Sequence, residues 1–243
     1  MIRSIPVCAV LGLAVALASP AVADDDLVAE HIKAIGGADA LAKIESLERK
    51  GTAELEGEFG QFEGGFHEAV VNGKKAYTST DFGVFQSESG WSGGEKGWAV
   101  DPQQGLRDID GDDLDRLKMS AGIDPIFALK EQYGAAAFKL AGEQELGDAT
   151  YDAVEIVDTD LTFLLDKDTK LIAAMTVTAE DPNLGGEYTV VVSYDDYKEV
   201  EGVKLPHKTE IDISDGTMII TMTYDENTVN EGIDDELFEK PAE

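Results

Sequence analysis

The hydrophobic and polar positions of this chain follow two rhythms. The clearest runs from Gly185 to Ile213, GGEYTVVVSYDDYKEVEGVKLPHKTEIDI. On the way out, Tyr188, Val190, Val192 and Tyr194 alternate with Glu187, Thr189, Ser193 and Asp195. On the way back, Thr209, Ile211 and Ile213 alternate with Lys208, Glu210 and Asp212. A period of two places the apolar set on one face of a strand. Glu201-Gly202 gives the chain a place to reverse. Pro206 cannot donate a ladder hydrogen bond and so belongs at the start of the returning strand or on an edge. The pattern predicts a two-faced hairpin whose apolar side must be covered.

The same period recurs along most of the chain. Ala53, Leu55 and Phe59 oppose Glu54, Glu56 and Glu58, and Phe62–Val71 and Lys75–Thr80 are joined by the hairpin signal Asn72-Gly73. Gly83–Ser87 and Gly97–Val100 continue the meander. Gly90-Trp91-Ser92-Gly93-Gly94 and Asp101-Pro102 read as turns. Later strands are expected at Phe138–Glu145, Tyr151–Val157, Leu161–Leu165, Leu171–Ala179 and Met218–Tyr224. Their turns are Asp166-Lys167-Asp168 and Asp215-Gly216.

Helical spacing appears in two places. Val28, Ile32 and Ile35 form a stripe within Asp24–Ile44, interrupted by Gly36-Gly37. The second stretch, Asp110–Gly134, carries Leu114 and Leu117, then Asp124 as a cap with Pro125 behind it, then Ile126, Leu129 and Tyr133 with Phe127 beside them. A mainly β (α+β) domain follows: one open, strongly curved antiparallel half-barrel of about 10–11 strands, with helices as lid or plug. Its inner face needs covering, and these two helical stretches carry the apolar stripes to do it.

Composition narrows the setting. Met1-Ile2-Arg3, the apolar run Val7–Leu17 and Ala21-Val22-Ala23 match a secretory leader cleaved after Ala23, leaving residues 24–243 as one domain in the periplasm. The single cysteine, Cys8, lies inside that leader, so disulfides, thiolate catalysis and Cys-based zinc sites drop out of the mature chain. The 50 acidic against 19 basic residues give a net charge of −31, which repels nucleic acid and anionic headgroups. The expected state is a monomer without cofactor.

Catalytic patterns are weak. His67-Glu68-Ala69-Val70-Val71 begins like a zinc-protease motif but has Val71 where a second His is needed. Asp108-x-Asp110-x-Asp112 opens like a calcium loop, yet Gly111 comes one place early and Met119 stands where a bidentate Glu belongs. No nucleophile elbow or phosphate-cradling loop is present. What remains is an apolar interior. Met175, Met218 and Met222 share strands with Val177, Ile220 and Tyr224, and methionine adapts to flexible guests. With Tyr188, Val190 and Val192 on the hairpin and Ile126, Phe127 and Leu129 on the helix, they are the candidate cavity lining. A filled core satisfies the same pattern.

Several blocks resemble one family. Tyr197-x-x-Val200-x-Gly202-Val203-Lys204-Leu205-Pro206-His207 is similar to a signature of bacterial outer-membrane lipoprotein-sorting (LolA/LolB-like) proteins. So are Gly94-Glu95-Lys96-Gly97-Trp98, Gly142-x-x-x-Leu146-Gly147, Asp166-x-x-Thr169-x-Leu171 and the ending Ile233-Asp234 with Phe238-x-x-Pro241. The resemblance implies an open β-barrel with a helical lid, a periplasmic location, and binding of the acyl chains of lipids or lipoproteins, in contact with the sorting machinery. It also implies an Arg on an early strand that holds the lid by hydrogen bonds. Lys74-Lys75 occupy the comparable region here, and Lys lacks the planar fork. An envelope sensor or scaffold, and an envelope hydrolase, are the other readings left open.

Overall fold

The computed structural model describes residues 24–58, 60–181, 186–214 and 216–242. The expected leader over residues 1–23, Phe59, Gly185 and Asp215 lie outside them. Among the described residues, thirteen strands form one antiparallel sheet and two more form a small hairpin.

The sheet grows outward from its middle in two meanders. β1 (Ser46–Gly57), β2 (Gly60–Val71), β3 (Lys75–Asp81), β4 (Gln86–Trp91), β5 (Gly97–Asp101) and β6 (Gly105–Ile109) step in order to one edge. β7 (Phe138–Leu146), β8 (Ala149–Ile156), β9 (Leu161–Leu165), β10 (Ile172–Asp181) and β11 (Gly186–Asp195) step inward from the other edge. β14 (Lys208–Ile213) and β15 (Met218–Val229) then close onto β1. Each neighbour is a hairpin partner except β11–β14 and β15–β1, so the register is fixed mostly by local turns. The result is an open, curved β fold, as the alternation predicts.

The helices follow from this topology. α3 (Gly111–Ser120) and α4 (Pro125–Tyr133) connect edge strand β6 to edge strand β7, so the chain must cross the inner face to reach its next position. α1 (Asp24–Ala34) and α2 (Ala38–Leu41) precede the central strand β1. Leu27, Val28, Ile32 and Ile35 of α1 join Ile126, Phe127 and Leu129 of α4 against Val154, Phe163, Leu165 and Ile172 in the largest buried cluster. Leu114 and Leu117 of α3 pack on Val70, Ala76, Trp91 and Ile109. Asp124 caps α4 as expected: its carboxylate accepts from the Phe127 N–H at 2.7 Å, with Pro125 in the first turn.

The structure departs from these expectations in four places. The strand count is higher, because β6 was not anticipated and because the outgoing arm of the long hairpin ends at Asp195. Asp196 turns with φ 53°, and β12 (Lys198–Val200) and β13 (Val203–Leu205) pair only with each other. That small hairpin reverses at Glu201-Gly202 (φ 49° and 83°) and lays Val203 and Leu205 into the α1 cluster, where the Lys204 N–H donates to the Ile35 carbonyl at 2.8 Å. Gly90-Trp91 is buried strand rather than turn, because Gly90 lies under the Trp98 indole where a Cβ would collide. Tyr133, expected on the α4 stripe, is 60% exposed, since α4 ends there and Gly134 turns the chain away at φ 75°.

Candidate ligand-binding site

Residues directly opposite in neighbouring strands share a face, so the register defines the inner surface. One cross-strand row runs Phe163, Met175, Val192, Ile211, Ile220, Leu55, Phe62 over seven adjacent strands, β9 to β2. The next row is Leu161, Val177, Val190, Ile213, Met218. On the other side lies Tyr194, Thr209, Met222, Ala53. The eight strand candidates, Met175, Val177, Tyr188, Val190, Val192, Met218, Ile220 and Met222, therefore all point to one side of the sheet.

Coverage of that side is uneven. Ile126, Phe127 and Leu129 are buried at 0%, 8% and 9% exposure, sealed into the α1–α4 core with Met175 and Val177 at its border. Ile220 and Met222 belong instead to a cluster of Ala53, Phe66, Phe82 and Tyr224 that contains no helical residue among the described residues. Its cover is aromatic: Phe85 of the β3–β4 connection stands edge-on to Phe62 at 5.9 Å and 5.0 Å from Phe82. Tyr188, Val190, Val192, Ile211, Ile213, Met218 and Ile220 stay half-buried. The eleven candidates thus divide into a filled helical half and an apolar trough on the sheet that no helix fills among the described residues.

Between the two halves stands a polar layer that the sequence pattern did not single out. Arg49 of β1 faces Glu68 of β2 on one side and Asn227 of β15 on the other. Its Nε donates to Glu68 Oε2 at 2.6 Å, Nη2 contacts the same oxygen, and the guanidinium lies 4.4 Å from the centre of the Tyr224 ring. The Tyr224 hydroxyl donates to Thr209 Oγ1 at 3.0 Å. Burial works against the Arg49 charge, but Glu68, with smaller parts from Tyr224 and Tyr194, more than offsets it and raises its pKa. Burial pushes up the Tyr194, Tyr197 and Tyr224 hydroxyls, which stay neutral at ordinary pH. Arg49 alternates in phase with Leu47, Ala53 and Leu55, so the period of two already pointed it inward. The interior cation on an early strand is Arg49, and Glu68 holds it. Lys75 instead pairs with Asp235 at 2.6 Å, and Lys74 is exposed in the β2–β3 turn.

The helical layer is fastened by His31 of α1, which is fully buried. Its Nδ1 lies 2.8 Å from the Lys170 carbonyl and its Nε2 3.1 Å from Asp124 Oδ2. Both partners are acceptors in the ionised state of Asp124, so the imidazole carries both protons. Burial lowers its pKa, yet the Asp124 charge and hydrogen bond and the Lys170 carbonyl outweigh that, and the net shift is upward. One ion pair therefore joins α1, the α4 cap and the β9–β10 turn.

His67, Glu68 and Asp108 of the weak catalytic patterns are held in local ion pairs and hydrogen bonds. His67 Nε2 lies 2.8 Å from Glu48 Oε1, and His207 Nδ1 donates to the Leu205 carbonyl at 3.1 Å. Asp108 pairs with Lys240 at 2.7 Å and Lys96 at 3.4 Å, which hold its carboxyl below the usual range. Among the described residues no group of three or more His, Cys, Asp or Glu is placed to hold a metal ion.

An open sheet with an inner trough and a helical plug defines a LolA-like fold, and solved structures agree. A LolA superfamily protein from Nitrosomonas europaea superposes with a TM-score of 0.56 at 9% identity, covering 90% of this chain and 99% of that one. A domain described as an outer membrane lipoprotein-sorting protein, from Vibrio parahaemolyticus, gives 0.56 at 11% identity, covering 88% and 95%. A DUF1329 family protein from Desulfovibrio piger gives 0.55 at 11% identity, covering 89% and 97%. No family model matches the sequence, and no curated protein matches it. At these identities the likeness is one of fold.

Proposed function

We propose that this chain is a periplasmic, non-enzymatic carrier that holds the acyl chains of a lipid or lipoprotein in the trough of its inner face. One observation carries the reading: the row of half-buried apolar side chains from Val192 through Ile211 and Ile220 to Phe62, whose Ile211, Ile220 and Phe62 belong to a cluster with no helical residue among the described residues. Four strand-to-strand steps of ~4.8 Å between Val192 and Phe62 make a trough of roughly 19 Å, the length of an extended chain of about fifteen methylenes. Burying about fifteen methylenes at ~0.8 kcal/mol each yields roughly 12 kcal/mol, about nanomolar binding. A trough left partly open keeps such binding reversible. The leader-like segment over residues 1–23 and the lipoprotein-sorting description of one structural neighbour support the export and the cargo.

Native mass spectrometry of protein purified from periplasm tests the reading together with displacement of a fluorescent fatty acid. Acyl-bearing adducts are expected, and Ile220→Glu should weaken displacement at least about tenfold, because a buried carboxylate at a guest surface is strongly unfavourable, while the melting temperature stays near wild type. Protein free of adducts and indifferent to the probe would contradict it.

A further inference from the structure

The polar layer beside the trough has a composition that selects a head group. By register Tyr224–Gly51 follows the Met222–Ala53 row and Asn227–Arg49 follows Tyr224–Gly51, so a chain laid along β15 over Ile220 and Met222 brings its head to Tyr224, Arg49 and Asn227. Three properties distinguish this layer. Its formal charge cancels, because Arg49 and Glu68 pair with each other. Arg49 directs two N–H groups at one Glu68 oxygen, keeps 16% of its side chain exposed, and has further N–H donors without an acceptor among the described residues. Asn227, opposite Arg49, has a buried side-chain oxygen Oδ1 that no donor reaches among the described residues.

A buried acceptor without a donor is costly, and native structures leave few of them. A ligand group can supply what is missing. An anionic head has no unpaired cation to meet in this layer, and the net charge of −31 disfavours its approach. We propose that the layer of Arg49, Tyr224 and Asn227 is a head-group subsite for a neutral acyl ester or amide. The ester or amide carbonyl accepts from the spare Arg49 N–H groups, and the ligand's O–H or N–H donates to Asn227 Oδ1. Free fatty-acid carboxylates are the disfavoured class, because they bring an uncompensated charge and no donor.

The inference rests on the carrier reading, and one experiment separates the two. Equilibrium binding of 1-monopalmitoylglycerol and of palmitate, identical in chain length, is measured at pH 8 on the full mature chain. The ester is expected to bind at least about tenfold tighter. Asn227→Leu should cost the ester roughly fivefold, the worth of one hydrogen bond, and leave palmitate unchanged, while Asn227→Thr, which keeps an acceptor, should cost less. The wild-type ratio stands even if Asn227→Leu does not fold. Palmitate binding as tightly as the ester, or an Asn227→Leu variant with wild-type preference, overturns the head-group assignment. Failure of both probes to bind removes the carrier reading beneath it.

Discussion

Replacing His31 with leucine tests the fastening of the helical layer. Leucine fills most of the imidazole's space but leaves Asp124 facing an apolar side chain. Removing one partner of a buried ion pair typically costs about 3–5 kcal/mol. The Asp124 side chain keeps 11% exposure and its bond to the Phe127 N–H, so the lower end, about 3 kcal/mol, is expected. For a domain of this size that corresponds to a fall in Tm of roughly 6–12 °C. The pH dependence has a definite sign. The folded-state pKa of His31 is raised above its unfolded value of about 6.5, so the pair's contribution is full below that value and is lost as pH rises through the folded pKa. Urea unfolding of wild type, His31→Leu, Asp124→Asn and the double variant should give a coupling energy of about 2–3 kcal/mol at pH 6 and a smaller one at pH 9. The alkaline loss should be absent in His31→Leu. Coupling below about 0.5 kcal/mol at pH 6, within ordinary additivity, or wild-type stability that rises from pH 6 to 9, would refute the reasoning.

Three further outcomes are expected. Arg49→Met strands the Glu68 carboxylate and should cost about 3–5 kcal/mol in chemical unfolding, while Arg49→Met with Glu68→Leu should recover most of it; equal losses in both would show that the pair is not a unit. Gly51→Ala places a methyl against the Thr223 carbonyl where β1 and β15 pair around a bulge, so the variant should accumulate poorly and show a broad melt, and a wild-type melt would contradict the register. Because 50 acids repel one another against 19 bases, the Tm should climb as NaCl rises from near zero toward molar; a flat profile would make self-repulsion negligible.

What was legible in the sequence was what local physics determines. Alternation located most strands, Asn72-Gly73 and Glu201-Gly202 located their reversals, and Asp124-Pro125 located the start of α4. Gly90 misled because a glycine that makes room for a tryptophan looks the same as one that makes a turn. The break after Asp195 was hidden because β12 and β13 continue a strand-like pattern while pairing only with each other; what draws them aside is the buried seat for Val203 and Leu205 beside α1. The His31–Asp124 pair joins residues 93 apart, and no spacing rule connects them. The eleven candidate residues were chosen by apolarity alone, which cannot separate Ile126 in a sealed core from Ile220 on an open trough. Arg49 is legible from its phase on β1, in step with Leu47, Ala53 and Leu55.

The central claim is that the trough on the sheet, rather than the space among the helices, takes the acyl chain. A palmitoyl probe carrying a diazirine near its methyl end, photolysed in the bound state and mapped by mass spectrometry, tests this directly. The account predicts labels on Val192, Ile211, Met218 and Ile220, all half-buried on the inner face. Labels confined to Val28, Ile126 and Leu129 of the helical core, or scattered over the outer face, would contradict it.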